Sequence, residues 1–250
     1  CFMERYYVIV IVAGPAGLLA AGRAGEKGAK VLLLEKMNRA GRKLLITGKG
    51  RCNITNDASI SEFVKNVHPE GRFLKKILPR FFSKDILSVL HDYGVSTVLE
   101  RGGRYFPESN QSSDVLNALL KWVKKKNIEI QCDSKVEDLI VEKGRCKGVK
   151  LNGKVYASNC VILATGGKSY PATGSTGDGY ELAGRLGHTL VNPRPGLVPL
   201  ETKGSIAQQL QKLNLRNVNV TVWVENKKVS EAFGELLFMH FGLSGPVILT

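Results

Sequence analysis

A glycine-containing turn between an apolar strand and a helix constrains this 250-residue chain more than any other feature. The β-branched run Val8 to Val12 is typical of a buried parallel strand. The turn Ala13-Gly14-Pro15-Ala16-Gly17 follows it, and a helical pattern then runs to Gly28. A second apolar run, Lys30 to Leu34, ends in Glu35. Strand, glycine turn, helix, strand and acid together predict one short βαβ unit.

This order of elements is what a bound dinucleotide requires. Glycines let the backbone approach a pyrophosphate, and the helix N-terminus offers N–H donors and the positive end of its dipole. An acid at the end of the second strand can accept hydrogen bonds from ribose hydroxyls. Glu35 follows Gly17 by 18 residues, which is close to the usual spacing. We therefore predict nucleotide binding by Gly14, Pro15, Ala16, Gly17 and Glu35.

One position departs from the full G-x-G-x-x-G pattern. Its first glycine, which normally permits the tight turn, is Val12 in this chain. The first alternative to nucleotide binding is an ordinary βαβ unit in which the glycines serve only packing. A signal peptide, with Arg5 before an apolar run, is the second, and the acid-tipped strand that follows so closely disfavours it.

Composition excludes several other classes of protein. The chain is 43% hydrophobic and 23% charged, so it can bury a sizeable core. No apolar run reaches the length of a membrane span, so we expect no membrane association. Five cysteines are scattered without a C-x-x-C pair, which predicts reduced thiols, a cytoplasmic location and no metal site.

A net charge of +14 is concentrated in the first part of the chain. Residues 1–150 hold 27 basic and 16 acidic residues. Residues 36–51 hold six basic residues and no acid: Lys36, Arg39, Arg42, Lys43, Lys49 and Arg51. This surface could meet cofactor phosphates, an anionic substrate or RNA, or it could be a solvated basic face.

A second glycine-rich stretch follows another apolar run. Val161 to Ala164 predicts a strand that opens into Thr165-Gly166-Gly167. Small residues at a strand end can pass close to a bound cofactor. Gly177-Asp178-Gly179 then begins a helix, whose N-terminus could lie near a phosphate.

The remaining chain divides at a pair of prolines. Residues 59–93 show roughly helical spacing of apolar residues, among them Phe63, Phe73 and Leu74. Pro193 and Pro195 mark a boundary, and residues 197–250 alternate as strands do. We expect a first domain over residues 1–192 and an incomplete β-rich inserted domain over residues 193–250.

Several segments, in order along nearly the whole chain, resemble the BaiN/RdsA-like, YhiN-type NAD(P)/FAD-dependent oxidoreductases. The two blocks most specific to that family are Gly41-Arg-Lys-Leu-Leu-Ile-Thr-Gly48 and Gly50-Arg-Cys-Asn-Ile-Thr-Asn56. The others are Gly14-Pro-Ala-Gly17, Leu32-Leu-Leu-Glu35-Lys36, Arg104-Tyr-Phe-Pro107, Ala164-Thr-Gly-Gly-Lys-Ser-Tyr-Pro171, Thr173-Gly-Ser-Thr-Gly-Asp-Gly179 and His240-Phe-Gly-Leu-Ser-Gly-Pro246.

The resemblance implies an α/β, FAD/NAD(P)-binding Rossmann-like three-layer fold with the start of an inserted β-rich domain. It implies FAD as cofactor, NAD(P)H as electron donor and an unidentified small organic substrate. Members of the family are longer, so we expect a chain truncated at its C-terminus. The residues implied for FAD are Gly14, Pro15, Ala16, Gly17, Glu35, Lys36, Gly41, Arg42, Lys43, Thr47, Gly48, Gly50, Arg51, Cys52, Asn53, Val136, Ala164, Thr165, Gly166 and Gly167.

Two other functions stay open at this point. An RNA-associated flavoprotein of the tRNA-modifying type would explain the charge of +14, although we recognise no stretch that interleaves aromatic and basic residues. A truncated, non-catalytic flavoprotein fragment is the other. Arg42, Lys43 and Arg51 are candidates to stabilise an anionic flavin or to orient the substrate. No general acid or base is legible, and the oligomeric state is open.

Overall fold

A computed structural model describes residues 5–249 of the chain. They fall into two compact units that divide between Thr189 and Leu190. The predicted boundary, between residues 192 and 193, lies close to this division.

The first unit begins with the βαβ order that the sequence predicts and continues with a run of short elements. Its strands are β1 (Arg5–Ile11), β2 (Val31–Leu34), β3 (Thr55–Asn56), β4 (Thr97–Glu100), β5 (Arg104–Pro107), β6 (Ile128–Gln131), β7 (Asp138–Glu142), β8 (Arg145–Leu151) and β9 (Lys154–Leu163). Its helices are α1 (Pro15–Glu26), α2 (Arg42–Ile46), α3 (Ile60–Lys65), α4 (Ser83–Asp92), α5 (Ser112–Lys124) and α6 (Asp178–Arg185). Within the described residues, no helix is long and apolar enough to cross a membrane.

A six-stranded sheet in the order β6-β2-β1-β9-β8-β7 forms the centre of this unit. Strands β6, β2, β1 and β9 run parallel, and β8 and β7 continue the sheet antiparallel. Every residue of β2 is buried, as expected for a parallel strand that is covered on both faces. The carboxyl ends of β1, β2 and β9 therefore lie side by side, which is where ligands bind in open α/β sheets.

Strand β9 joins the two halves of the sheet. Two separate strands, Val155 to Ala157 and Val161 to Ala164, were expected in this region from the sequence. They are one strand, because Lys154–Ala157 pairs with β8 while the stretch from Ala157 to Leu163 pairs with β1. Polar residues such as Asn159 interrupt the apolar pattern without ending the strand.

Helices α1 and α5 cover one face of the central sheet and α6 packs on the other, which gives the layered fold expected from the sequence. One apolar cluster joins β1 and β2 to α1 and α5, and Trp122 is its largest member. The second cluster lies on the opposite face and includes Leu182 of α6. The alternation Ile9 and Ile11 against Val8 and Val10 sends β1 side chains into both clusters.

Helices α1 and α5 approach closely at a glycine. A Cβ built on Gly22 would lie 2.5 Å from the Trp122 ring, so no larger residue fits without movement. The indole Nε1 of Trp122 donates to the carboxylate of Glu26 at 2.9 Å. The glycine and the tryptophan together set the distance between the two helices.

The predicted helical stretch over residues 59–93 is wrong in its middle part. Only α3 and α4 are α-helical, and the residues between them form 3₁₀ turns at Arg72–Lys76 and Leu78–Arg80. Pro69, Gly71 and Pro79 interrupt the helical spacing and explain the break. A small antiparallel sheet, β3-β5-β4, packs in the same region.

The second unit is β-rich, as its alternating sequence predicts. It contains β10 (Leu200–Glu201), helix α7 (Ile206–Gln209), β11 (Asn214–Val224), β12 (Lys227–Met239) and β13 (Gly242–Ser244). The strands form an antiparallel sheet in the order β10-β13-β12-β11. The alternation in this part of the sequence predicts two separate strands, Lys228 to Phe233 and Leu236 to His240. They are one strand, β12, which continues through Gly234 where that residue pairs with Val218 and ends at Met239.

The contact between Gly22 and Trp122 gives a prediction of stability. Ala is ordinarily about 1 kcal/mol better than Gly inside a helix. We expect Gly22→Ala instead to lower the free energy of unfolding by about 1–3 kcal/mol, because the new methyl group overpacks against the indole. Urea unfolding followed by tryptophan fluorescence measures it.

The matched control is Ala24→Gly on the same helix, where we expect the ordinary loss of about 1 kcal/mol for the glycine. A Gly22→Ala protein as stable as the native chain would contradict the overpacking argument.

Candidate dinucleotide-binding site

The turn that begins α1 is open to solvent on its outer side. Gly14 is the N-cap in an extended conformation, and no side chain caps the helix. Pro15 occupies the first helical position, where its missing N–H is not needed. Pro15 and Ala16 are exposed, and nothing lies within 4 Å of a Cβ built on Gly14. The helix N-terminus is therefore accessible to an anion.

Gly17 is required by close packing on the inner side of the same turn. A Cβ built on it would lie 1.9 Å from the backbone oxygen of Val12 and 3.5 Å from the Cβ of Ala164. Any other residue would push the helix away from the strand. The glycine therefore holds α1 against the ends of β1 and β9.

Val12 adopts the conformation that glycine usually supplies at the start of this motif. Its φ of +80° is a strained value for a β-branched residue and costs about 1–3 kcal/mol. The neighbouring backbone fixes it, because the Val12 N–H donates to the Leu34 carbonyl at 2.7 Å. The turn thus keeps its shape without the first glycine.

Glu35 lies at the end of β2 with its carboxylate directed to the turn. The residue is 5% exposed, and its Oε2 accepts from the Ala13 N–H at 3.0 Å. Its Oε1 accepts from the Met37 N–H at 2.9 Å. Burial raises the pKa of Glu35 above its ordinary value, and the two backbone hydrogen bonds only partly offset that effect. The sequence-predicted acid is therefore placed beside the glycine turn.

Lys36 ties the end of β2 to the start of α6. Its Nζ donates to the Thr176 hydroxyl and to the Asp178 carboxylate, each at 2.6 Å. Burial raises the pKa of Asp178, but the hydrogen bonds from Lys36 and Thr176 outweigh burial, so this pKa lies below its ordinary value. The ammonium of Lys36 is thus used within the protein.

Arg42 and Lys43 connect the glycine-rich loop at residues 41–53 to the glycine-rich loop at residues 165–177. Arg42 donates to the Ala172 carbonyl at 3.2 Å, and Lys43 Nζ donates to the Ser169 carbonyl at 2.6 Å. Partial burial lowers the pKa of Lys43. The preceding Gly41 has a φ of +71° and its N–H donates to the Ala13 carbonyl at 3.0 Å. Both loops are therefore fastened around the turn at residues 12–17.

Residues 164–167 leave β9 next to that turn. The Ala164 N–H donates to the Ile11 carbonyl at 3.0 Å. The Thr165 hydroxyl lies so close to Gly179 that a Cβ there would be 2.1 Å from it. Gly166 has a φ of +68° and Gly167 faces the Tyr180 hydroxyl. The predicted strand end is thus packed on α6 and beside Gly17.

Val136 belongs to the same edge of the sheet. It is 6% exposed in the second apolar cluster, and Val12 packs against that cluster. The preceding Ser134 N–H donates to the Glu35 carbonyl at 2.8 Å. Of the predicted residues, the structure brings together Gly14, Pro15, Ala16, Gly17, Glu35, Lys36, Gly41, Arg42, Lys43, Val136, Ala164, Thr165, Gly166 and Gly167.

The end of the first family-specific block and the start of the second form a tight loop with its own contacts. The Thr47 hydroxyl donates to Leu44, and the Cys52 N–H donates to the Thr47 carbonyl at 3.0 Å. Gly48, Gly50 and Cys52 all have positive φ, and Asn53 is exposed. Burial raises the pKa of the Cys52 thiol, which favours the neutral thiol.

Arg51 is held by the β4–β5 region. Its guanidinium stacks 4.1 Å from the Phe106 ring centre, pairs with Glu100 and donates to Asn110 at 2.7 Å. These contacts give Arg51 a structural role in the protein as it stands. The structure offers no contact between Arg51 and the glycine turn within the described residues.

The arrangement fits a dinucleotide. It offers an open helix N-terminus, a turn in which Gly17 leaves no space for a side chain, and a buried acid at the adjacent strand end. Among residues 5–249, no group of three or more His, Cys, Asp or Glu side chains is placed to hold a metal ion.

Several solved proteins share this fold. The chain is similar to a flavocytochrome c3 fumarate reductase in its open conformation, with a TM-score of 0.54 and 20% identity over 85% of this chain and 47% of that one. It is also similar to Thermovibrio ammonificans THI4, with a TM-score of 0.52 and 14% identity over 83% of this chain and 71% of that one. These likenesses define an α/β Rossmann-like fold.

Sequence similarity assigns the chain to one family within this fold. Residues 6–229 match the family described as HI0933-like protein Rossmann domain, and the chain belongs to this family of FAD-dependent oxidoreductases. The predicted resemblance is thereby confirmed.

Two curated relatives have named activities. The chain is 32% identical to the ribosomal RNA dihydrouridine synthase of Escherichia coli (strain K12) over 99% of this chain and 60% of that protein. It is 32% identical to the 3-dehydro-bile acid delta(4,6)-reductase of Clostridium scindens over 94% of this chain and 57% of that protein. The chain thus spans about three fifths of the length of these relatives.

Sequence reasoning missed the partners that hold the two loops together. Thr176 and Asp178 bind Lys36 across 140 and 142 positions, and the acceptors for Arg42 and Lys43 are backbone carbonyls. No local pattern reports a backbone carbonyl as a partner. The sequence signal that could have indicated the ion pair was Asp178, an acid in the second glycine-rich stretch that could pair with the basic run at residues 36–51.

The strain at Val12 can be isolated by two substitutions that both shorten its side chain. We expect Val12→Gly to be more stable than Val12→Ala by about 1 kcal/mol or more, because glycine adopts a φ of +80° without a steric cost. Thermal and urea unfolding of the two variants measure the difference.

The order expected here reverses the usual one, in which Ala is favoured over Gly by about 0.5–1 kcal/mol. An alanine variant equal to or more stable than the glycine variant would show that Val12 is unstrained.

Proposed function

We propose that this chain binds FAD at the junction of its two glycine-rich loops and forms the flavin-binding part of a reductase. The observation that carries the proposal is the position of the Glu35 carboxylate, 3.0 Å from the Ala13 N–H in the glycine turn. Membership of a family of FAD-dependent oxidoreductases supports FAD over other dinucleotides.

In this proposal each part of the site takes one part of the cofactor. Glu35 accepts hydrogen bonds from the ribose hydroxyls of the adenosine half. The N-terminus of α1, with Gly14 and Gly17, takes the pyrophosphate. Residues 41–53 and 165–167 serve the flavin half, and Val136 lines the adenosine side. Bound FAD would supply two-electron transfer between a nicotinamide donor and the substrate.

Arg42 and Lys43 do more in this proposal than supply positive charge near the flavin. Their donor groups already bind the carbonyls of Ala172 and Ser169, so they position the second glycine-rich loop against the first. We assign them as positioning residues. Their positive charges remain close to the loop that serves the flavin.

The names of two relatives suggest a substrate class. Uridine to dihydrouridine is the saturation of a carbon–carbon double bond conjugated to a carbonyl, and a delta(4,6)-reductase of a 3-dehydro bile acid reduces double bonds of the same kind. We propose that the whole protein reduces a conjugated carbon–carbon double bond. The net reaction consumes NAD(P)H and a proton and yields NAD(P)⁺ and the saturated carbonyl compound.

The role of Glu35 predicts a pH dependence of FAD affinity. The carboxylate accepts from ribose hydroxyls and the protonated acid does so poorly. Because burial raises the Glu35 pKa above 4.5, affinity should fall as pH decreases through a range above that value. We expect FAD affinity to be lower at acidic pH than at about pH 8, with the fall centred above the ordinary carboxyl range, and quenching of flavin fluorescence measures it.

Glu35→Gln is the matched control, since the amide does not ionise in this range. We expect it to bind FAD more weakly and with little dependence on pH. Glu35 itself does not promote acid unfolding, because a folded state with a raised carboxyl pKa binds the proton more tightly than the unfolded chain and gains stability through Glu35 as pH falls. Far-ultraviolet circular dichroism at each pH shows whether the protein stays folded. The same pH profile in both proteins would contradict the role given to Glu35.

The substrate class is tested with the FAD-loaded protein without oxygen. NADH or NADPH is added with uridine-containing single-stranded RNA or with a steroid that carries a 3-ketone conjugated to a ring double bond. We expect the ultraviolet absorbance of one conjugated substrate to disappear in step with nicotinamide oxidation. The saturated steroid is the control. Nicotinamide oxidation with no loss of conjugation in either substrate would contradict the proposed class.

A further inference from the structure

The 3₁₀ turns between α3 and α4 expose apolar and basic side chains together. Phe73 is 65% exposed and Ile77 is 55% exposed, although the helical spacing of this stretch predicts burial. Arg72, Lys75, Lys76 and Arg80 are exposed in the same segment. Basic residues thus alternate with an aromatic and an aliphatic side chain here, and the expectation that the chain has no such stretch is wrong.

The 3₁₀ geometry sorts these side chains onto separate faces. Residues three apart eclipse one another in a 3₁₀ turn. Arg72 and Lys75 accordingly share one face, and both line a cleft of about 260 Å³ against α3. Phe73 and Lys76 share the next face, which is open to solvent. An exposed aromatic ring and a cation thus share the face next to the one that lines the cleft.

The charge of this region is strongly positive. Residues 65–84 include six basic side chains and one acid, Glu70. Glu70 pairs with Arg72 at 2.7 Å, and Lys65 adds a further basic side chain to the cleft lining. Lys76 and Arg80 form no ion pair with any residue that the structure describes. Positive charge is therefore left available to an anionic partner.

We propose that residues 65–80, which we call the basic–aromatic segment, bind single-stranded RNA. Backbone phosphates would bind Lys75, Lys76 and Arg80, and a base would stack on Phe73. This inference rests on the proposed function, the reduction of a conjugated carbon–carbon double bond. If the segment binds RNA, the double bond that is reduced belongs to a base in RNA and not to a free small molecule.

An anionic membrane is the competing partner for such a segment. Membrane adsorption scales with the apolar area that can be buried, and here only Phe73 and Ile77 project in two short turns. The cleft is lined by three basic residues, by Glu70 and by apolar residues such as Val64 and Val67, so it combines positive charge with a surface for a splayed base. Charge and shape together favour RNA.

The test measures binding of a fluorescently labelled single-stranded RNA by anisotropy at several salt concentrations. We expect Lys75→Ala/Lys76→Ala to lose about tenfold in affinity and to reduce the slope of log affinity against log salt by about 1.4, since each single-strand phosphate contact contributes about 0.7. We expect Phe73→Ala to lose about fivefold to a hundredfold with an unchanged slope, because stacking releases no counterions.

The matched control is Lys147→Ala/Lys150→Ala, which removes two exposed charges from β8 and should leave RNA affinity within about twofold. Equal losses in the two double variants, or no loss in either, would overturn the proposal. So would tighter binding to vesicles rich in phosphatidylglycerol than to RNA, if the same Lys75 and Lys76 substitutions abolished it. FAD titration of each variant is scored separately, so failure of RNA binding and failure of flavin binding are distinguishable.

Discussion

The hydrogen bonds around Ala13 are the constraint on which the rest of the site depends. Its N–H donates to Glu35, its carbonyl accepts from Gly41, and the N–H of the preceding residue, Val12, is bound to Leu34. A turn held from three directions has one conformation available. Helix α1 can then begin only where it does, and Gly17 must be a glycine because α1 passes so close to the backbone of Val12. The sheet edge, the helix dipole and the acid are aligned by the same few contacts.

A second set of contacts joins parts of the chain that are far apart in sequence. Lys36, Arg42 and Lys43 donate to residues between 169 and 178. The ion pair between Lys36 and Asp178 is partly buried and therefore costs the most to break, whereas the hydrogen bonds of Arg42 and Lys43 are exposed and each contribute less. A basic run that looks like a phosphate-binding surface in the sequence therefore uses several of its charges for internal order. A second concentration of positive charge lies at residues 65–84, where six basic side chains accompany one acid.

The βαβ unit could be predicted because its signals are local: a buried apolar strand, a glycine turn and an acid at the right spacing. The β7–β8 hairpin turns at Lys143-Gly144, which is a local signal of the same kind, because glycine favours the turn. Prediction failed once because local helix breakers were outweighed by apolar spacing, and once because a partner is distant in sequence. Phe73 has helical spacing and is exposed, because Gly71 and Pro79 break the helix around it. Arg51 lies in a family-specific block, yet its guanidinium stacks on Phe106, a partner that only the folded β5 supplies.

The left-handed backbone at Val12 also affects how the sequence of such a turn can evolve. Valine and glycine codons differ at one base, so the two residues interconvert by a single mutation. A turn whose shape came only from its own glycine would be lost at that step. Here the shape is imposed by Leu34, Glu35 and Gly41, and the substitution leaves the backbone path in place. The site is thus buffered against the loss of its most recognisable residue, and searches that insist on the first glycine will pass over chains that still fold around it.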